Sequence, residues 1–165
     1  MSDFCAVVTD AARARLFTLE PVEFPEVQSG PRLIEREAFV NPEKDLPESE
    51  LFSTNKAGRN RAPQGGPSHG YDDHRSQHTD EYERRFARMV ADETMKLAQA
   101  HGARQVVLAA QPRMLGFIRQ ELDTLTRSGI EVRELAKDLS KLSATQVHDH
   151  LAKEKLLPPC KRAGG

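Results

Sequence analysis

The pattern of apolar and polar positions begins with "FCAVVTD" at 4–10, a short β-rich run that predicts a buried strand. In "AARARLFTLE" (11–20), Ala14, Leu16 and Thr18 alternate with Arg15, Phe17 and Leu19 after a tight connection, which predicts an antiparallel hairpin. Three prolines and a glycine make 21–31 a loop, and "RLIEREAFVNP" (32–42) reads as a third strand. From Pro42 to Thr79 nothing periodic appears apart from "LF" at 51–52. Residues 53–78 hold Gly58, Gly65, Gly66, Gly70, Pro63 and Pro67, and no aliphatic side chain larger than alanine. So little apolar surface cannot offset an ordering cost of about 1–2 kcal/mol per residue, so a long mobile loop is expected before the longest helix.

Regularity then returns. Thr79 is the expected N-cap, with Asp80, Glu81 and Glu83 in a first turn that favours carboxylates. Tyr82, Phe86, Met89, Val90 and Leu97 recur at helical spacing as one apolar face, and Gly102 supplies the stop. "ARQVVLAA" (103–110) has the continuous apolar character of a central strand. Pro112 opens a helix to about Thr126 with Met114, Leu115, Ile118, Leu122 and Leu125 on its buried side. "IEVREL" is a further strand, and Ser143 with Gln146 forms a capping box before a last helix that buries Val147, Leu151 and Leu156. The order β-β-β-loop-α-β-α-β-α predicts an α/β fold, a mixed β-sheet with packed helices in one domain over 1–157, followed by a disordered tail over 158–165.

Composition narrows the classes. The 165 residues carry 24 basic and 25 acidic side chains, a net charge of -1, so any RNA contact must come from a local patch. No apolar run approaches the roughly 18 residues of a membrane span, and the first residues lack the pattern of a secretory signal. Cys5 and Cys160 make no disulfide framework, and a cytoplasmic protein with reduced thiols is expected.

Candidate chemistry concentrates in the central loop and the start of the helix. His69, Asp72, His74 and His78 offer metal-ligand chemistry, though their spacing matches no zinc pattern and a solvated polar tract is the better explanation of them. No serine sits in a nucleophile elbow, no phosphate-binding glycine motif occurs, and no motif calls for a cofactor. Cys5 reads as a structural thiol, and Asp10 as a cap on the turn before Ala11. Arg59, Arg61, Arg75, Arg84 and Arg88 are the candidate partner-binding set, with Arg84 and Arg88 one turn apart. Glu81, Glu83, Asp92 and Glu93 offer the competing explanation, a solvated face of ion pairs.

Three segments, "VVTDAARARLF" (7–17), "YERRFARMVADE" (82–93) and "QVVLAAQPRMLGFIRQEL" (105–122), closed by "ELAKDLSKLSATQVHDHL" (134–151), resemble the bacterial host-attachment protein family. That family is similar in turn to the middle domain of archaeo-eukaryotic class-1 release factors. There a Gly-Gly-Gln loop precedes a helix that begins with an Arg-Phe-Ala-Arg stretch and promotes peptidyl-tRNA hydrolysis. "RFAR" stands here at 85–88, and Gln64, Gly65, Gly66 and Pro67 make a glycine-bearing loop before it, but no glutamine follows the glycine pair. The resemblance implies a release-factor-like fold and a non-enzymatic protein that binds a macromolecular partner, either RNA or the ribosome, or another protein. Two alternatives stand beside it: a ribosome-rescue factor acting through the 59–78 loop, and a metal-dependent enzyme using the loop histidines.

Overall fold

The computed structural model describes residues 2–42 and 68–162, and for 68–79 the backbone without the side chains. Strand β1 (Phe4–Thr9) pairs antiparallel with β2 (Arg13–Glu20), and β2 with β3 (Arg32–Val40). On its other side β1 pairs parallel with β4 (Gln105–Ala109), which pairs parallel with β5 (Glu131–Leu135). The mixed sheet therefore runs β3-β2-β1-β4-β5. Parallel neighbours require crossovers. Helix α1 (Ser68–His101) supplies the first, and α2 (Pro112–Glu121) with the short α3 (Asp123–Arg127) the second. Helix α4 (Ala144–Lys153) follows β5.

Alternation along the central strands divides the core in two. Cys5, Val7, Val106 and Leu108 face α1, α2 and α3, where Phe86, Val90, Ile118 and Leu125 meet them. Ala6, Val8, Val107 and Ala109 face the opposite side, covered by Val147 and Leu151 of α4 and by Leu156 and Leu157 beyond it. Burial pushes the Cys5 thiol up to about 12, with the charge of Glu20 adding to the effect, so this sulfur stays protonated and inert.

The expected elements are present in the expected order, except that the helix expected from Pro112 to Thr126 is divided at Leu122 into α2 and α3, and two further corrections apply. Helix α1 starts at Ser68, eleven residues before the expected N-cap Thr79. No proline interrupts 68–101, and once the buried segment forms, each further residue adds a hydrogen bond without a new nucleus. The 53–78 loop therefore loses its last eleven residues, 68–78, to helix, and the rest lies outside the described residues. Met89 is the second correction: it is 39% exposed, whereas Ala87, Ala91 and Ala98 are buried. At 100° per residue these three lie on the side of the helix away from Met89, so the buried stripe is turned away from the Tyr82–Met89 side. Gly102 at φ 64 ends the helix as expected, and the capping box between Ser143 and Gln146 is formed in both directions. Residues 158–161, placed by the sequence in a tail, meet the body at two points: His148 Nε2 lies 2.7 Å from the Pro158 carbonyl oxygen, and Lys161 bridges Gly30.

A polar cluster ties the first residues to the sheet. The Glu20 carboxylate accepts from the Ser2 hydroxyl, from Thr18 Oγ1 at 2.9 Å and from Arg36 Nη2 at 3.0 Å. Burial alone would raise its pKa, but these hydrogen bonds and the Arg36 charge outweigh burial and hold it below the ordinary glutamate value of 4.5. Arg36 reaches this cluster because it is the unopposed residue of a bulge: Leu16 pairs with Glu37 and Phe17 with Glu35.

Two measurements check this account. Phe86 is fully buried, with its ring edge-on to Phe39 at 5.7 Å, and Phe86→Ala should cost about 3–5 kcal/mol on chemical denaturation. A loss below about 1 kcal/mol would show that the helix face is misassigned. For Glu20 the folded pKa is depressed, so its stabilisation is present above 4.5 and is lost as pH falls through the folded value. Glu20→Gln should therefore lower Tm at neutral pH and flatten the decline of Tm as pH falls below 4.5, and an acid limb unchanged from wild type would refute the assignment.

Candidate functional site

Of the five arginines singled out in the sequence, Arg59 and Arg61 lie outside the described residues, as do Gln64, Gly65, Gly66 and Pro67. Arg75 is placed by its backbone within α1, together with His69, Asp72, His74 and His78, whose side chains are not described. Because α1 begins at Ser68, His74 and His78 stand one turn apart on a continuous helix. Among the residues whose side chains are described, no group of three or more His, Cys, Asp or Glu is placed to hold a metal ion.

Arg84 and Arg88 are described in full, at the junction of α1 with α2. The Arg84 guanidinium lies over the Phe117 ring at 5.2 Å from its centroid, and Arg113 of α2 approaches the same ring at 5.8 Å. Arg113 also donates through Nε to Glu83 at 2.8 Å and contacts Asp80. Arg88 Nε is 3.7 Å from Glu121, and Arg85 pairs with Glu81 across one turn at 2.5 Å. Four guanidiniums and four carboxylates therefore interlace along the junction. Glu81 and Glu83 do pair with arginines, as the ion-pair explanation requires. Glu93 takes no arginine and reaches Lys96 at 3.5 Å instead. Neither Arg113 nor Phe117 drew attention in the sequence, because their role depends on two helices meeting at a place that periodicity cannot locate.

A second polar cluster closes the end of the sheet. In an α/β sheet, ligands commonly sit beyond the carboxyl ends of the strands, where the chain order reverses. Here that place is between β1 and β4. Asp10, just past β1, accepts from the backbone N–H groups of Ala12 at 2.7 Å and Arg13 at 2.8 Å through Oδ1, the turn cap expected of it. Its Oδ2 lies 3.1 Å from Ser140 Oγ, which lies 2.6 Å from Asp138 Oδ1. One hydroxyl has one proton, and the shorter contact marks Asp138 as its acceptor. Arg15 of β2 donates to the carbonyls of Ser140, at 3.1 Å, and Leu142, and pairs with Glu35 at 2.7 Å. The loop after β5 thus crosses back over the ends of β4 and β1 as far as β2, and it covers the crevice instead of leaving it open. Arg15 was missed in the sequence, although a guanidinium in a strand with apolar neighbours on both sides needs partners and could have been flagged for that reason.

The described architecture is that of an α/β protein with a mixed five-stranded sheet and a crossover helix that continues well past the strands it connects. The family described as "Protein required for attachment to host cells" matches residues 5–151, from β1 into α4, and the chain belongs to that family. No curated protein matches the sequence. Among the described residues, no helix is long and apolar enough to cross a membrane.

Arg15 is the test of the closing loop. Arg15→Ala leaves Glu35 and two carbonyls without their donor and should cost about 2–3 kcal/mol, and Arg15→Lys should recover only part of it because an ammonium cannot serve the fork. Equal stability of the alanine variant and the wild type would remove the loop-fastening role.

Proposed function

We propose that this member of the host-attachment family is a non-enzymatic, cytoplasmic binding protein whose partner is a macromolecule, and that RNA carried by the ribosome or by tRNA is the ligand of the α1 arginines. The observation that carries the reading is the Arg84–Phe117–Arg113 stack. Guanidiniums held against a half-exposed aromatic ring combine phosphate contact with a surface on which a base can stack. Arg75 lies on the same helix, and Arg59 and Arg61 precede it in the chain.

The neighbouring carboxylates oppose this reading but do not cancel it. Exposed ion pairs of this kind contribute about 0–1 kcal/mol each, and a phosphate offers a charge-assisted, bidentate alternative. Arg88, with 70% of its side chain exposed and Glu121 at 3.7 Å, is the arginine most easily drawn away. The family's likeness to the release-factor middle domain, carried by "RFAR" at 85–88, supports a partner in translation. Peptidyl-tRNA hydrolysis through the 59–78 loop is the alternative. It lacks a glutamine after the Gly65–Gly66 pair.

Titration with tRNA and co-sedimentation with ribosomes over a salt series test the proposal. Each phosphate contact on a single strand adds roughly -0.7 to the slope of log affinity against log salt. Arg61→Ala with Arg75→Ala should weaken binding and make that slope shallower, with unfolding unchanged. A flat titration at low salt removes the RNA reading. Release of the nascent chain from peptidyl-tRNA would replace it with the hydrolytic one.

A further inference from the structure

The flank of α1 turned away from α2 forms a groove of about 640 Å³ with the sheet edge. Its strand side is lined by the consecutive residues Arg36 to Phe39. Side chains of a strand alternate between faces, so a groove touched by four successive residues runs along the strand's outer edge, where backbone donors and acceptors point sideways. β3 is the outermost strand, with no partner beyond it among the described residues. Phe39 and the exposed Met89 supply an apolar floor.

The charges around this floor select the occupant. Glu37, Asp92 and Glu93 are acidic. Arg36 is committed to Thr18 at 2.8 Å and to Glu20, and Lys96 lies 3.5 Å from Glu93. Glu37 and Glu93 meet across the groove: burial, then the charge of Glu93 and a hydrogen bond to it, raise the Glu37 pKa, with Lys96 opposing. Two carboxyls in contact are relieved by a cation between them. A second copy of this chain fits less well. Antiparallel pairing of two β3 edges about Arg36 sets Arg36 against itself and Glu35 against Glu37 of the other copy, and directly opposed like charges are destabilising.

We propose that the groove between β3 and α1 binds an extended basic peptide segment of a protein partner, which adds as a strand to the free edge of β3 and places a lysine or arginine between Glu37 and Glu93. Backbone pairing supplies affinity without regard to sequence. Phe39 and Met89 take an apolar side chain, and the acidic pair takes the cationic one two positions along, because alternate residues of an added strand share a face. The groove lies on the opposite flank of α1 from the Arg84–Phe117 stack, so this inference stands or falls independently of the RNA reading.

The test uses the full chain and a short fluorescein-labelled peptide repeating valine-serine-arginine-serine, which sets valine and arginine two positions apart on one face, read by anisotropy at physiological salt. Saturable binding is expected, weakened about tenfold or more by Glu37→Gln with Glu93→Gln, a nearly isosteric pair that keeps the fold. Glu154→Gln, far from the groove, should bind as wild type, and the same peptide with glutamate in place of arginine should not bind. Amide resonances of 36–39 and 89–96 should shift on titration. Absence of saturable binding, equal weakening by Glu154→Gln, or shifts located elsewhere would overturn the proposal. So would concentration-dependent dimerisation that moves the β3 resonances without peptide, which would assign the edge to a second copy.

Discussion

β1 and β4 have no solvent face. Val7, Val8, Val107 and Leu108 are all at most 1% exposed, although successive residues of a strand point to opposite sides. Two layers must therefore cover the sheet, and the chain supplies them unequally. The β1-to-β4 and β4-to-β5 crossovers deliver α1, α2 and α3 to one face, and α4 alone arrives on the other. Each fully buried valine, leucine or phenylalanine contributes about 1.5–3 kcal/mol, so the pairing of these two strands and the docking of the helices are parts of one event. The hairpin β1–β2 forms locally, but β1–β4 pairing must close a loop of about a hundred residues before either face is covered.

The same constraint explains the polar groups at the sheet's end. The single helix on the second face enters through a loop that has no regular partner, and Arg15 of β2 holds that loop through two of its carbonyls, with Glu35 of β3 completing the Arg15 pair. The Arg15 guanidinium lies over Phe17, 5.1 Å from the ring centroid, and its fork meets oxygen atoms. Desolvating a guanidinium costs several kcal/mol unless every donor finds an acceptor, and here one carboxylate and two carbonyls provide them. The network has a functional consequence: the crevice where an open α/β sheet would admit a ligand is bridged by the residues that fasten α4.

Much of this could be read in the chain. β1 and β4 announce themselves because an unbroken apolar run of strand length allows little else, and Asp10 and Ser143 are legible because a cap is a local interaction, complete within four residues. The start of α1 was not legible. The polar composition of 68–78 argues against burial but says nothing against helix, and a good capping residue at Thr79 is permissive without being decisive. Met89 misled for a different reason: helical spacing defines an apolar arc, and which part of the arc touches the sheet depends on the small residues beside it. Ala87, Ala91 and Ala98 extend the buried arc on the side away from Met89, and alanine contributes little to an apolar pattern. The α1–α2 stack and the β3 groove were invisible because each joins residues distant in sequence, such as Arg84 with Phe117 and Glu37 with Glu93.

Helix α1 is thereby asked to do three things around its circumference. One stripe, with Phe86, Ala87, Val90, Ala91 and Thr94, is buried against the sheet and cannot vary without loss of stability. A second carries Arg84 and Arg88 toward α2, and a third carries Met89, Asp92, Glu93 and Lys96 toward the edge of β3. Steps of 100° per residue turn Arg88, Met89 and Val90 to different surfaces although they are consecutive, and the two outer stripes adjoin where Arg88 and Asp92 stand one turn apart. A rigid helix fixes the spacing between the two outer surfaces to within the length of a turn. A partner that engaged both flanks would meet them as a single preformed unit, without an ordering cost beyond its own. The crossover that the parallel strands demand is therefore also the scaffold on which both candidate surfaces are displayed.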